Sequence, residues 1–123
     1  MGSTKGFFEF KLLEAQALSA SFSSDPIDCT KCDNIAINVA ASNVTDNTGS
    51  FFVDHRIYKN SSADGASAWA QLTFATDPQL SDGDDVFLIN LNQIPKGQLR
   101  LRFVAAGGTP DGDIDVWVSG KEI

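Results

Sequence analysis

Short stretches of alternating apolar and polar residues, each closed by turn-forming residues, recur along the whole chain. Alternation places successive side chains on opposite faces of an extended backbone, so each stretch predicts a half-buried β-strand. The first covers residues 7–13. The second covers 18–22, with Leu18, Ala20 and Phe22 on one side, and the third 35–40, with Ile35, Ile37 and Val39 inward. A longer strand is expected over 50–59, where Phe51, Val53, His55 and Ile57 share one face and Phe52, Asp54, Arg56 and Tyr58 the other. Residues 69–74 alternate through Ala70, Leu72 and Phe74 until Asp77-Pro78 breaks the pattern. The run 86–91 is apolar on both faces and predicts a central strand. Finally, Leu99, Leu101 and Phe103 alternate with Arg100 and Arg102, and Ile114, Val116 and Val118 with Asp113, Asp115 and Trp117.

Roughly eight strands at turn-marked intervals predict an all-β fold, an antiparallel β-sandwich of jelly-roll or immunoglobulin-like type, whose strand order the pattern leaves open. No linker or internal repeat divides the 123 residues, so one sandwich domain is expected over 7–123, preceded by a flexible N-terminal tip, 1–6. The nine Phe and two Trp, set among Ser, Thr, Asn, Asp and Gly, agree with short strands joined by tight turns.

The formal charge of −7 opposes nucleic-acid binding, which depends on Lys and Arg displacing counterions. No apolar run approaches the roughly 20 residues of a spanning helix, and no apolar signal core follows Met1–Lys5, so no membrane partner is expected.

Candidate chemistry is sparse. Cys29 and Cys32 have the spacing of a redox or zinc half-site, but there is no second pair and His55 is the one histidine. They read as small buried residues beside Ile27 and Ile35, with a metal or a disulfide as the alternative. The acidic turns at 82–85 and 111–115 could offer carboxylates to calcium, yet Val116 stands where an EF-hand loop needs Gly, so Asp-Gly turn chemistry is the simpler reading. With one histidine and no Gly-x-Ser-x-Gly elbow, no nucleophilic centre assembles, and no catalytic residue, metal site or cofactor is expected. Arg100 and Arg102, with Arg56, could pair with a partner's acidic residues or with a neighbouring strand. Trp69 and Trp117 could form a platform for stacking sugar, though each also fits a core or interface aromatic. The acceptor patterns at Asn43 and Asn60 read as accidents of a turn-rich chain.

Taken in order, residues 10–19, 27–28, 33–39, 87–92, 99–103 and 115–121 resemble a group of small tailed-bacteriophage virion proteins that decorate or complete the particle. The match spans nearly the whole chain. It departs from the group's pattern at residues 54–65, where the turn before Trp69 is altered and enlarged. The resemblance implies a non-enzymatic structural role on the virion, most simply as a decoration (cement) protein at the capsid surface. The major capsid protein or other virion proteins would be its partners, and a homo-oligomer such as a trimer its form. Phe7, Phe8, Phe10, Arg56, Tyr58 and Trp69 are the expected interface residues, the first three beside a terminal tip suited to strand pairing. A carbohydrate-binding or receptor-binding module of a tail or fibre is the rival reading, using Trp69, Trp117 or Tyr58.

Overall fold

The computed structural model describes residues 7–29, 31–56, 69–74, 78–92, 94 and 97–122. Its strands are β1 (Phe7–Ala17), β2 (Phe22–Ser23), β3 (Ile27–Asp28), β4 (Cys32–Thr45), β5 (Ser50–Arg56), β6 (Ala70–Gln71), β7 (Gly83–Leu91), β8 (Gln98–Val104) and β9 (Asp111–Glu122). Two antiparallel sheets result, one ordered β1-β9-β4-β7 and the other β2-β8-β5-β6, with β3 also paired to β8. The expected all-β sandwich is therefore present.

β2 and β3 are two halves of one interrupted strand. Phe22 and Ser23 oppose Phe103 and Arg102, whereas Ile27 and Asp28 oppose Leu99 and Gln98, so the register slips by one residue between them. Pro26, which has no N–H to give a ladder, lies in the break. Ser24 bridges it: its N–H donates to the Leu101 carbonyl at 2.8 Å, and its Oγ accepts the Leu101 N–H at 2.9 Å. Counted this way one sheet takes β1, β4, β7 and β9 and the other the joined β2–β3, β5, β6 and β8, the order of a jelly roll, which decides between the two sandwich types.

The predicted inward positions of β4, β5, β8 and β9 form the core. Ile35, Ile37, Val39, Phe51, Val53, Leu99, Leu101, Phe103, Ile114, Val116 and Val118 are all buried, and the Phe51 and Phe103 rings meet at 4.8 Å. Two expectations are corrected. The run 86–91 belongs to β7, an edge strand, because only Phe87, Ile89 and Leu91 turn inward while Val86 and Leu88 face out. Leu18, Ala20 and Phe22 do not share a strand face: Leu18 is buried, Ala20 is exposed in a bend, and the strand begins at Phe22.

Five of the six aspartates of the acidic turns, all but Asp113, accept a backbone N–H. Among the described residues three non-glycines adopt left-handed φ, namely Ala15, Asn43 and Asp46, a conformation that L-residues resist. Each donates its N–H to an aspartate distant in sequence: Ala15 to Asp115 at 2.8 Å, Asn43 to Asp84 at 2.9 Å and Asp46 to Asp82 at 3.0 Å. The first two lie where the ladders of β1 and β4 lose register, so these carboxylates clamp bulges.

One end of the sandwich is closed by residues 46–49. The buried Asn47 donates to the Leu18 carbonyl at 2.9 Å and accepts the Gly49 N–H at 3.0 Å. Thr48 donates its N–H to Ala106, Asp46 accepts the N–H and hydroxyl of Thr109, and Gly49 accepts the Leu80 N–H. Gly49 has no tolerance for a side chain, since a Cβ there would fall 2.4 Å from the Phe103 ring. At the other end the buried Cys29 donates its N–H to Gly97 at 2.9 Å and its thiol to the same carbonyl at 3.1 Å, joining the β3–β4 and β7–β8 connections. Burial, then Cys32, then Asp28 push the Cys29 thiol up to about 11.

The outward face of the second sheet is closed by charge. Asp54 of β5 is buried, and its Oδ2 accepts from Arg100 Nε at 2.8 Å and Arg102 Nε at 2.9 Å across the strand boundary. Arg102 also reaches Gln71, Arg56 donates to Gln98, and the Arg102 guanidinium lies 4.7 Å over the Phe52 ring. Burial acts to raise the Asp54 pKa, but hydrogen bonds from Arg102 and Arg100 outweigh it and hold the carboxyl below its ordinary value.

Three outcomes are expected. Asp54→Asn, which leaves two adjacent guanidinia without their anion, should cost about 3 kcal/mol and lower the Tm by about 10 °C in thermal unfolding. A depressed native pKa contributes stability above the unfolded value, so this contribution should be intact at neutral pH and fade below about pH 4, the gap between the two proteins closing there. Asn47→Ala should cost about 2–3 kcal/mol, seen as a lower urea midpoint at unchanged m-value, because buried backbone groups of Leu18 and Gly49 lose their partner. Cys29 should resist iodoacetamide in the folded protein at pH 7.5 and react in urea, read by mass spectrometry, since a thiol titrating near 11 supplies almost no thiolate.

Candidate functional site

Exposed large apolar side chains gather on the outward face of the β1-β9-β4-β7 sheet. Phe7 is 81% exposed, Val86 64%, Leu88 58% and Trp117 42%. Val104 at the end of β8 is exposed apart from them, and Phe10 is 38% exposed at the β1 edge. Strand register sets the neighbours. One row across the sheet reads Lys11, Trp117, Asn38, Leu88, and the next reads Glu9, Ser119, Ala36, Asn90. The small residues on β4 leave the middle of the face low, and Trp117 and Leu88 stand on either side of it.

Two open grooves result. One of about 540 Å³ is lined by Glu9, Asn38, Leu88, Trp117 and Ser119. The other, about 440 Å³, also holds Glu9 and Ser119 and continues past Ala36 and Asn90 to Phe7 and Lys121. They form one trough along β9.

Trp117 is held by charge from one side. Lys11 Nζ lies 5.2 Å from the ring centroid, and is itself bound by Glu14 at 3.0 Å and Asp115 at 3.5 Å. The hydrogen bond to Glu14 leads in raising the Lys11 pKa, and the Ala15 N–H leads in lowering that of Asp115, so the lysine and this aspartate are both charged at neutral pH. The β1 bulge thus orients the lysine, and the lysine braces the ring.

The expected interface residues divide between the two sheets. Phe7, Phe8 and Phe10 are together on β1: Phe7 points outward, and Phe8, half-buried, packs where a Cβ on Gly120 would otherwise stand, with its ring 6.1 Å from that of Phe10. Phe8 and Phe10 also border a gap of about 410 Å³ beside Pro26, Ile27 and Cys32. Arg56 and Trp69 lie on the other sheet, where the Arg56 and Arg100 guanidinia stack on the indole at 4.4 and 4.6 Å. Trp69 and Trp117 therefore share no platform, because they face out from opposite sheets. Tyr58, the tip 1–6 and the turn at 60–65 lie outside the described residues. Arg100 and Arg102 pair within the protein, to Asp54. Among the described residues no three His, Cys, Asp or Glu side chains cluster as metal ligands would. The trough residues Glu9, Asn38, Leu88 and Ser119 were not singled out by sequence; their signal is the polar or exposed half of each strand's alternation.

No family model and no curated protein sequence matches the chain. Solved structures share its fold. The SPBc2 prophage-derived protein YomS superposes with a TM-score of 0.60 at 10% identity, over 99% of this chain and 98% of that one. A chain of the IBDV viral particle gives 0.57 at 13% identity, over 94% of this chain and 31% of its own length. A chain of infectious bursal disease virus Gx strain gives 0.51 at 12%, over 98% and 32%. This chain spans about a third of those two viral chains, and at such identities the likeness is one of fold.

Proposed function

We propose that this protein is a non-enzymatic virion component, a capsid decoration protein that binds the shell through the N-terminal half of β1. The observation that carries the reading is the asymmetry of that edge strand. From Lys11 onward β1 is bulged twice and carries the Lys11–Glu14 ion pair, devices that discourage a further strand from pairing. From Phe7 to Phe10 it runs in clean register with β9, has no bulge, and exposes two phenylalanines. Such an edge accepts a strand from a neighbour through main-chain hydrogen bonds, with Phe7 and Phe10 adding apolar contact area. The resemblance to small phage virion proteins agrees, as do a prophage-derived neighbour and a viral-particle neighbour in fold. On this reading the partner is the major capsid protein and the protein acts as an oligomer that bridges shell subunits.

Phe7 is almost wholly exposed, so Phe7→Asp should leave the Tm unchanged while weakening binding to the cognate particle about tenfold, measured as occupancy on purified particles. Deleting residues 1–8 should have a larger effect on occupancy and on the heat resistance of the particle. Unchanged occupancy and heat protection with both variants would refute the edge mechanism, and absence of the protein from purified particles by immunogold labelling would refute the virion role.

A further inference from the structure

We infer that the trough on the outward face of the β1-β9-β4-β7 sheet is a binding site for a neutral oligosaccharide, with Trp117 as its stacking platform. The inference does not rest on the shell-binding edge, although Phe7 borders both surfaces.

A sugar presents two kinds of surface, apolar C–H faces and a rim of hydroxyls, and a site for it needs a flat aromatic ring flanked by groups that both donate and accept hydrogen bonds. The trough has this composition. Trp117 forms one wall and Leu88 the other, with Asn38 on the floor between them. Glu9 and Ser119 line both halves of the trough, and Asn90 extends the polar rim. Among the described residues, the side chains of Glu9, Asn38, Asn90 and Ser119 are engaged in no hydrogen bond or ion pair, so their capacity is available to a ligand. The two amides are the most telling, because each can give and take a hydrogen bond at neighbouring hydroxyls.

The ring is prepared for stacking. Lys11 braces it from the β1 side and is not a lining residue of the trough, which opens on the side of Asn38 and Leu88. A ring already fixed loses little freedom on binding. Trp69 offers no equivalent surface, since two guanidinia occupy it.

Charge and length define the class. Around the trough, Glu9, Glu14 and Asp115 outnumber Lys11 and Lys121, and Lys11 is committed to two of those carboxylates, so no cationic surplus exists to select a sulfated or sialylated chain. From Trp117 to Lys121 the trough follows β9 for about 13 Å at the strand rise, which suits a short chain of sugars better than one unit.

The test uses the full chain on an array of neutral oligosaccharides of two to six units, alongside anionic glycans, followed by calorimetric titration of the best neutral binder. Retention of a neutral chain is expected, weakened about tenfold or more by Trp117→Ala and by Asn38→Ala, and retained by Trp69→Ala. Trp117 and Asn38 lie on the outer side of the sheet, and an unchanged circular-dichroism spectrum and Tm would confirm that each variant is folded. An array on which no neutral glycan is retained, retention of anionic glycans alone, or affinity unaffected by Trp117→Ala would each overturn the assignment. Failure of the edge mechanism would appear separately, as unchanged particle occupancy for Phe10→Asp, a residue that lines neither half of the trough, with glycan binding intact.

Discussion

The jelly roll depends on closing the end at which four connections cross between sheets, and one buried amide does most of that. Two flat sheets with apolar inner faces attract each other without specifying how their ends meet. Asn47 supplies direction: its amide joins the end of β1 to the start of β5, while its neighbours in the chain bind the turn before β9 and the approach to β7. Any of these connections misplaced would strand buried donors or acceptors, so the hydrogen bonds act as a check on topology as well as a source of stability. Gly49 adds a steric condition, because the Phe103 ring fills the place its side chain would take.

Acidic residues do a similar job along the strands. A chain with 16 Asp and Glu against 9 Lys and Arg could be read as carrying a solubilising surface. Asp82, Asp84 and Asp115 instead receive the N–H groups of the three left-handed residues, making strained turns tolerable without glycine. Through Asp115 the effect reaches the trough, since the same carboxylate that holds the β1 bulge also holds Lys11 over Trp117. The bulge thus blocks half of the edge strand and braces the ring beside it.

What sequence made legible follows from the range of each interaction. The period-two alternation of β8 and β9 is local, and their inward residues are the ones expected. The role of β7 was not legible, because an apolar residue at an outward position reads the same on a central strand as on an edge that exposes it. The cysteine pair read correctly as buried, yet its bond to Gly97 spans 68 residues and no local pattern announces it. Asn47 looks like any turn residue among Thr, Asp and Ser, and the partners of Arg100 and Arg102 could be chosen only once β5 was known to lie beside β8. Trp69 and Trp117 are the same residue type in similar strand contexts; sheet topology alone separates a ring covered by two arginines from one open to solvent.

That separation also explains how the two outward faces differ in use. On the β5–β8 side the described arginines have internal partners, Asp54 for Arg100 and Arg102 and Gln98 for Arg56, and aromatic rings are stacked beneath them. A partner at Arg56 and Trp69 would have to break those contacts before making its own. On the β1–β7 side the amides and apolar groups are turned to water with no such competition, and the edge beside them is blocked only from Lys11 onward. Exposed Phe7, Val86, Leu88 and Trp117 add no stability to the free domain in proportion to their area, because that area is not removed from water on folding. Their concentration on one sheet contrasts with the opposite sheet, whose described arginines are held in internal contacts.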